Sequence, residues 1–384
     1  MPDVHSRYPA SASHRWINCP GSIRLSEMVK HADEASEYAK EGTLAHAIAE
    51  QKLLIAMDKA VKAERLKSLT KDILYDGEMN EATSFYASLV LEHYNAADRG
   101  AELMVEQRVD FSDWVPEGFG TSDAIIVDDD TLEIIDFKYG KGIRVDADGN
   151  SQLRLYALGA ISMFEALYNF TWVRMTIVQP RLDNVSTADM TVDELKYWAE
   201  IYVVPAALEA ASDNPHYAAG DWCRWCPARA TCRTRAEKNL ELARYDFQPG
   251  ELLNDNEIAD ILGRIEELTK WASDIEGYAL QQAIAGVHYD GWKVVEGRSN
   301  RKYKDELKVA EKLKAEGFSE AVLYTRKLLG ITNMEKLVGK KKLAETLKDL
   351  IEKPAGKPTL VPESDKREPI NSAAQAAADF KEEE

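Results

Sequence analysis

Residues 119–140 read FGTSDAIIVDDDTLEIIDFKYG, and this stretch decides the fold. Two apolar runs flank an acidic turn at 128–130, which predicts an antiparallel hairpin centred on the last peptide of that turn. Facing residues are then equally distant from the centre, so Asp123 lies opposite Asp136. Their Cβ atoms would be about 5 Å apart.

The acidic hairpin also predicts a cation. Facing carboxylates repel each other unless positive charge lies between them. Mg²⁺ or Mn²⁺ satisfies that need with oxygen ligands. Lys138, two residues after Asp136, points to the same face, where it can orient or deprotonate a water. A solvated hairpin is the alternative, but Asp136 interrupts an apolar run, and a buried carboxylate needs a partner.

Apolar periodicity predicts the remaining elements. They are helices at 32–65, 79–97, 150–167 and 191–211 and strands at 101–110 and 171–180. We expect the first helix to start near Gly42-Thr43. The order predicts an α/β fold in which helices flank a mixed central sheet. The expected organisation is a core at 1–240, a long helix at 241–290, a small α-rich module at 291–353 and a flexible tail at 354–384.

Composition limits the partners. The 384 residues carry 48 Lys+Arg against 66 Asp+Glu, a net charge of −18. This argues against a surface that is basic throughout, although a local basic groove remains compatible. No stretch is apolar for long enough to span a membrane, and the N-terminus has no apolar signal region. We therefore expect a cytoplasmic protein that does not bind membranes.

Four cysteines form a second candidate site. Three lie in the segment DWCRWCPARATC as Cys223, Cys226 and Cys232, and Cys19 lies far upstream in WINCPGS. Four thiols without a spare suggest one tetrathiolate site, and a cytosolic setting argues against two disulfides. Spacing alone leaves zinc and an iron–sulfur cluster open.

Several motifs resemble those of one enzyme superfamily. GTSDAIIV followed by EIIDFKYGKG resembles the paired motifs of PD-(D/E)xK nucleases, in particular the RecB-like branch. GTLAHAIAE at 42–50 resembles the upstream Gly-Thr-x-x-His motif of that branch. SQLRLYALG at 151–159 resembles its Gln-x-x-x-Tyr helix. The resemblance implies a restriction-endonuclease-like core and a Mg²⁺- or Mn²⁺-dependent DNA nuclease.

The resemblance also implies roles for individual residues. The catalytic set is Asp123, Asp136, Lys138, Gln152 and Tyr156. The metal ligands are His46, Asp123, Asp136 and the Phe137 carbonyl, with Glu106 as a further candidate. Lys138 would act on the nucleophilic water, and Gln152 and Tyr156 would orient the site or contact DNA.

The cysteine frame is similar to the iron staple of AddB-type helicase–nucleases and of CRISPR-associated adaptation exonucleases. That likeness implies a [4Fe–4S] cluster on Cys19, Cys223, Cys226 and Cys232, with Zn²⁺ as the alternative. Basic residues near the two sites are the expected contacts to DNA phosphates. They are Lys141, Arg144, Arg224, Arg229, Arg233 and Arg235.

The whole chain also resembles a phage and prophage protein family of formally unknown function, through SASHRWINCPGS and KPAGKPTLVPESDKR. This implies a DNA-processing or recombination exonuclease in the bacterial cytoplasm. Its expected partners are DNA and a phage recombinase or single-strand-binding protein, and a homo-oligomer is compatible. Two other functions stay open: a catalytically inactive DNA- or protein-binding module, and a zinc-stabilised scaffold.

Overall fold

In a computed structural model of the protein, a five-stranded mixed sheet lies within the first of two units, Met1–Gln282 and Ala283–Glu384. The described residues are 6–29, 37–57, 63–98, 100–242, 252–295 and 306–315 and the single positions 331, 335, 339, 342 and 345. The predicted mixed α/β class is confirmed.

The five strands lie in the sheet in chain order. They are β1 (Glu102–Asp110), β2 (Phe119–Val127), β3 (Thr131–Phe137), β4 (Trp172–Gln179) and β5 (Asn184–Thr191). Strands β3 and β4 are parallel, and all other neighbours are antiparallel. A parallel pair needs a crossover connection, and α6 (Ser151–Phe164) supplies it. The Asn150 side chain caps α6 by accepting hydrogen bonds from the backbone of Gln152 and Leu153.

The other described helices precede and follow the sheet. They are α1 (Ser13–Asn18), α2 (Ser22–Met28), α3 (Glu37–Ala56), α4 (Ala63–Leu69), α5 (Gly77–Ala96), α7 (Val192–Trp198), α8 (Val204–Ala210), α9 (Arg233–Leu240), α10 (Asp255–Ile284) and α11 (Glu306–Ala315). None of the helices in the described part of the chain is long and apolar enough to cross a membrane.

Apolar side chains cover both faces of the sheet. Alternate residues of a strand point to opposite faces. Ile125 and Ile134 accordingly belong to the core that contains α6, whereas Ile126 and Ile135 belong to the core that contains α3 and α5. The hairpin of β2 and β3 is therefore buried on both sides, and a charged side chain within it needs a specific partner.

One expectation about the elements was wrong. Helix α3 already includes Glu37, so Gly42 and Thr43 lie inside it, and the Thr43 hydroxyl donates to the Ala39 carbonyl at 3.0 Å. The helix expected at 191–211 is confirmed, since the chain is helical from Val192 to Ala210, with a π-helical turn at Ala199–Val203 just before Pro205, which has no backbone N–H. Strand β5 was not predicted.

The expected helix at 32–65 corresponds to α3 and α4, with 58–62 between them outside the described residues. The long helix expected at 241–290 contains α10, and the α-rich module expected at 291–353 contains α11. Most of that module and the whole tail expected at 354–384 lie outside the described residues.

Candidate functional site

The two aspartates of the hairpin lie where its hydrogen-bonded ladder ends. Ala124 pairs with Ile135, which is the register predicted from the sequence, and Asp123 and Asp136 occupy the next positions. At this point a side chain replaces a backbone carbonyl as the acceptor: Asp123 Oδ2 accepts a hydrogen bond from the Phe137 N–H at 2.7 Å. The carboxylate is therefore held rigidly at the end of the strand pair.

A histidine and a glutamate converge on Asp123. The Nδ1 of His46, on α3, lies 3.0 Å from Asp123 Oδ1. Glu106 lies opposite Asp123 between the pairs Val105–Ala124 and Gln107–Ser122, but its φ of 49° breaks the ladder at that point. One ligand atom from each of the three residues lies within 4.8 Å of the others. The structure thus brings Glu106, the weakest sequence candidate, into the same cluster as His46 and Asp123.

Negative charge dominates this cluster. Burial raises the pKa of Glu106 to about 7, and the Asp123 carboxylate contributes to the rise. Burial opposes protonation of His46, but Asp123, Asp136 and Glu106 outweigh it and raise the pKa of the imidazole to about 9. The imidazolium of His46 is therefore the cation within the cluster of His46, Glu106 and Asp123.

Asp136 has a different set of partners. Its side chain is buried, with Oδ2 at 2.9 Å from Lys138 Nζ and Oδ1 accepting from Gln152 Nε2 at 3.1 Å. Gln152 Oε1 accepts a hydrogen bond from Lys138 Nζ at 2.9 Å, and Gln152 Nε2 donates one to the Tyr156 hydroxyl at 3.1 Å. The four predicted catalytic residues of this group therefore form one network across β3 and α6.

A glycine in β2 makes room for this network. A Cβ added to Gly120 would lie 2.7 Å from the ring of Tyr156, closer than any side chain tolerates. The glycine of the GTSD segment therefore lets the α6 tyrosine lie directly over β2 and present its hydroxyl to Gln152.

Sequence reasoning missed two residues that hold the loop after Lys138. Gln179, at the end of β4, donates to the carbonyls of Gly140 at 2.9 Å and Ile143 at 2.8 Å. Its Oε1 accepts from the Val145 N–H, and Asn184 donates to the Val145 carbonyl. The available signal was an amide at the end of the apolar strand ending in IVQ.

The four cysteines come from the α1–α2 junction and from the segment before α9. Burial raises the pKa of the Cys19 thiol, and the nearby thiols of Cys226 and Cys232 raise it further. Burial likewise raises the pKa of Cys223 to about 11, with smaller contributions from Cys226 and Cys232. Cys19, Cys223 and Cys226 are buried, and Cys232 is partly buried.

The α1–α2 junction, which carries Cys19, packs closely against the backbone at 216–220, just before the other three cysteines. The Gly21 N–H donates to the His216 carbonyl at 3.0 Å, and a Cβ on Gly21 would lie 2.8 Å from that carbonyl oxygen. The N–H groups of Ala218 and Gly220 point at the sulfur atoms of Cys19 and Cys223, at 3.4 and 3.5 Å. Such donors stabilise negative charge on sulfur.

The expected DNA contacts differ in their surroundings. Lys141 pairs with Glu78 at 2.7 Å and Arg144 with Asp146 at 3.5 Å. Arg229 pairs with Asp274 at 2.8 Å. Arg224 and Arg233 are exposed.

The expectation for Arg235 was wrong, because this side chain is only 1% exposed. It pairs with Glu267 and Asp274 of α10, both at 2.6 Å, and therefore joins α10 to the cysteine segment instead of facing solvent.

Fold and site together define a mixed α/β protein with an acidic cluster and a basic–amide network at one end of its hairpin. Residues 5–368 match the family described as "Protein of unknown function (DUF2800)", so the chain belongs to that family. The expected membership in a family of unknown function is confirmed. Among solved structures, the chain is similar to one titled "Crystal structure of SSO0001", at 14% identity over 58% of this chain and 96% of that chain, with a TM-score of 0.22.

Proposed function

We propose that the protein is a divalent-metal-dependent DNA nuclease of the PD-(D/E)xK class that acts as an exonuclease in phage recombination or DNA processing. One observation carries the proposal. The hairpin end holds an acidic cluster, His46, Glu106 and Asp123, beside the buried pair of Asp136 and Lys138. Mutually repelling carboxylates at the end of a buried strand pair need a cation, and metal-dependent hydrolysis of a phosphodiester uses such a cation.

The cluster suits a hard divalent cation. An octahedral ion with ligands at about 2.1 Å separates adjacent ligand atoms by about 3 Å and opposite ones by about 4.2 Å. His46 Nδ1 and Asp123 Oδ1 are 3.0 Å apart, and the ligand atoms of the whole cluster lie within 4.8 Å of one another. The cluster therefore has to contract only slightly to bind such an ion. Asp136 Oδ2 is buried and has no well-directed hydrogen bond, so it has acceptor capacity left for the same ion. The Phe137 carbonyl stays a predicted ligand.

Each residue has a role in hydrolysis. A bound Mg²⁺ or Mn²⁺ supplies a more acidic water and neutralises charge on the phosphate. Lys138 Nζ, fixed by Asp136 and Gln152, is placed to hold the attacking water and to stabilise the phosphate in the transition state. Gln152 and Tyr156 keep Asp136 and Lys138 in one orientation, so the geometry is set before substrate arrives.

We further propose that the cysteines bind a [4Fe–4S] cluster. A zinc ion with Zn–S bonds of about 2.3 Å holds its four sulfur atoms about 3.8 Å apart. Among the residues that the structure describes, no three cysteines place all their sulfur atoms within 4.8 Å of one another. The preference for the cluster over zinc rests on the likeness of the cysteine frame to the iron staple, because ligand spacing in the sequence suits both.

Cleavage of defined DNA tests the proposed activity. Anaerobically purified protein is incubated with Mg²⁺ or Mn²⁺ and with end-labelled linear or circular DNA, in single- and double-stranded form. We expect metal-dependent degradation of linear DNA. Asp136→Asn and Lys138→Met should each lower the rate by at least about 100-fold while the protein stays folded.

Asp129→Asn is the matched control, because Asp129 is an exposed carboxylate at the opposite end of the same hairpin. Wild-type rates in both site variants would refute the assignment. Cleavage of circular DNA would show that the enzyme is an endonuclease and not an exonuclease.

The net charge of −18 disfavours extensive contact with DNA phosphates and so gives weight to one function other than catalysis, a catalytically inactive module that binds DNA or protein on the same scaffold. That function predicts DNA retention without cleavage under every metal condition of the assay. The module would be supported if the Asp136→Asn protein still bound DNA and the wild-type protein left the DNA uncut.

A further inference from the structure

A buried tyrosine hydroxyl near the acidic cluster has no partner. Tyr86, on α5, is 1% exposed, and its ring packs against Phe137 with the two ring centroids 4.8 Å apart. Its hydroxyl makes no hydrogen bond to any residue that the structure describes. A hydroxyl that is buried without a partner loses its hydration and gains nothing in return, so a phenylalanine would pack here at lower cost. The oxygen atom of Tyr86 therefore points to a role other than packing.

The same tyrosine shares a narrow cavity with the acidic cluster. All three members of that cluster line the cavity together with Tyr86. The space between them is too small for a free water molecule. Glu50, which pairs with Arg65 at 3.4 Å, also lines it. The remaining lining is apolar or aromatic and consists of Ala49, Leu53, Val105 and Phe137. A partner for the hydroxyl must therefore come from the acidic side chains around the cavity.

Glu106 is the member of the cluster with unused acceptors. Both oxygens of Asp123 are engaged, Oδ1 with His46 at 3.0 Å and Oδ2 with the Phe137 N–H at 2.7 Å. Among the described residues, the Glu106 carboxylate has neither a hydrogen bond nor an ion pair. An unpaired donor and an unpaired acceptor therefore line the same cavity.

Metal binding gives this donor and acceptor a reason to meet. Carboxylates that bind a metal are themselves held by hydrogen bonds from neighbouring groups, which fix their orientation. Glu106 needs such support, because its backbone is left-handed, with a φ of 49°, and more than a third of the residue is exposed. Burial, aided by the charges of the nearby aspartates and of Glu106, raises the pKa of Tyr86, so the hydroxyl keeps its proton and can act as the donor.

We propose that Tyr86 is a positioning residue of the metal site, whose hydroxyl donates a hydrogen bond to Glu106 when the acidic cluster closes on Mg²⁺ or Mn²⁺. The bond holds the Glu106 carboxylate beside its fellow ligands and so strengthens the binding of the ion. Tyr86 contacts neither the ion nor the substrate. The inference rests on the metal site of the proposed function, but its test does not depend on DNA cleavage.

Removal of a single oxygen atom tests the role of Tyr86. Wild type and Tyr86→Phe are titrated with Mn²⁺ in a calorimeter, and the near-ultraviolet absorbance of tyrosine is recorded before and after Mg²⁺ is added. Urea unfolding in EDTA measures the stability of the same samples. Tyr8→Phe is the matched control. Tyr8 is 2% exposed and its hydroxyl also lacks a partner, but its ring packs against Trp16 in the core that contains α6.

We expect Tyr86→Phe to weaken Mn²⁺ binding by about 10- to 100-fold, the usual effect of removing a hydrogen bond to a metal ligand. Tyr8→Phe should bind Mn²⁺ as wild type does. Neither variant should be less stable than wild type in EDTA, because each loses a hydroxyl that is unsatisfied without metal. Mg²⁺ should shift the tyrosine absorbance to longer wavelength in wild type and Tyr8→Phe but not in Tyr86→Phe, because the Tyr86 phenol becomes a hydrogen-bond donor.

Wild-type Mn²⁺ affinity in a folded Tyr86→Phe protein would overturn the proposal, and so would equal losses of affinity in the two variants. If Tyr86→Phe does not fold, the wild-type spectrum decides, since tyrosine absorbance that Mg²⁺ leaves unchanged would exclude the hydrogen bond. Tyr86-dependent Mn²⁺ binding without DNA cleavage would uphold this inference and overturn the nuclease. Unaltered Mn²⁺ binding in Tyr86→Phe, with cleavage that is lost in Asp136→Asn, would do the reverse.

Discussion

Replacing Glu106 with Gln should stabilise the metal-free protein and remove its response to metal. Glu106 and Asp123 carry ligand oxygens within 4.8 Å of each other. At an effective dielectric constant of about 20, two charges at that distance repel by about 3.5 kcal/mol. More than a third of Glu106 is exposed, and attraction to His46 offsets part of the repulsion. Screening therefore leaves a gain of about 1 to 2 kcal/mol for the neutral side chain.

The substitution isolates charge from shape. Gln is nearly isosteric with Glu and keeps the left-handed backbone at this position, where φ is 49°, equally strained. The midpoint of thermal unfolding in EDTA should therefore rise by about 1 to 3 °C. In wild type, Mn²⁺ at about 100 times its dissociation constant should add about 2.7 kcal/mol, and Glu106→Gln should gain little of this.

Thermal and urea unfolding with EDTA or Mn²⁺ measure both effects. Glu102→Gln is the matched control, because Glu102 is an exposed glutamate at the start of the same strand and lies outside the cluster. It should change neither stability nor the response to Mn²⁺. The argument fails if Glu106→Gln destabilises the metal-free protein and still gains as much from Mn²⁺ as wild type.

Three further predictions follow from the same geometry. His46→Ala should weaken the binding of Mn²⁺ more than that of Mg²⁺ in titration calorimetry, because Mg²⁺ keeps more of its water and oxygen ligands and gains less from an imidazole nitrogen. The hydrogen bond from His93 to Glu133 raises the pKa of His93, so its contribution to stability is complete below about pH 6.5. That contribution is lost as pH rises through the folded-state pKa, and His93→Gln should flatten this part of a urea-unfolding profile against pH. Gly120→Ala should destabilise the protein by about 1 to 3 kcal/mol in the same assay, because the new methyl group displaces the Tyr156 ring.

The register of the hairpin could be predicted because its information is local. A short acidic turn between two apolar runs fixes which residues face each other, and the observed pairing of Ala124 with Ile135 is the predicted one. The partners of Asp136 were equally accessible, since Lys138 shares its face of β3 and Gln152 and Tyr156 share a face of α6.

Other features have no local signal. Strand β5 lies at the edge of the sheet, and its sequence NVSTADMT lacks the apolar alternation by which strands are recognised. Glu106 joins the cluster through a left-handed backbone that the sequence does not encode for a glutamate. Arg235 lies in the same basic segment as the exposed Arg229 and Arg233, and only tertiary packing buries it against Glu267 and Asp274.

The net charge of −18 makes the availability of each basic side chain the decisive question for the proposed DNA binding. The ion pairs of Lys141 with Glu78 and of Arg229 with Asp274 lie largely at the surface, where such a pair stabilises the protein by less than about 1 kcal/mol. A phosphate can therefore replace either carboxylate at little cost. Arg235 cannot exchange in this way, because leaving its two carboxylates would bury unpaired charge. Burial, and not the presence of an ion pair, therefore decides which basic residues remain available to DNA.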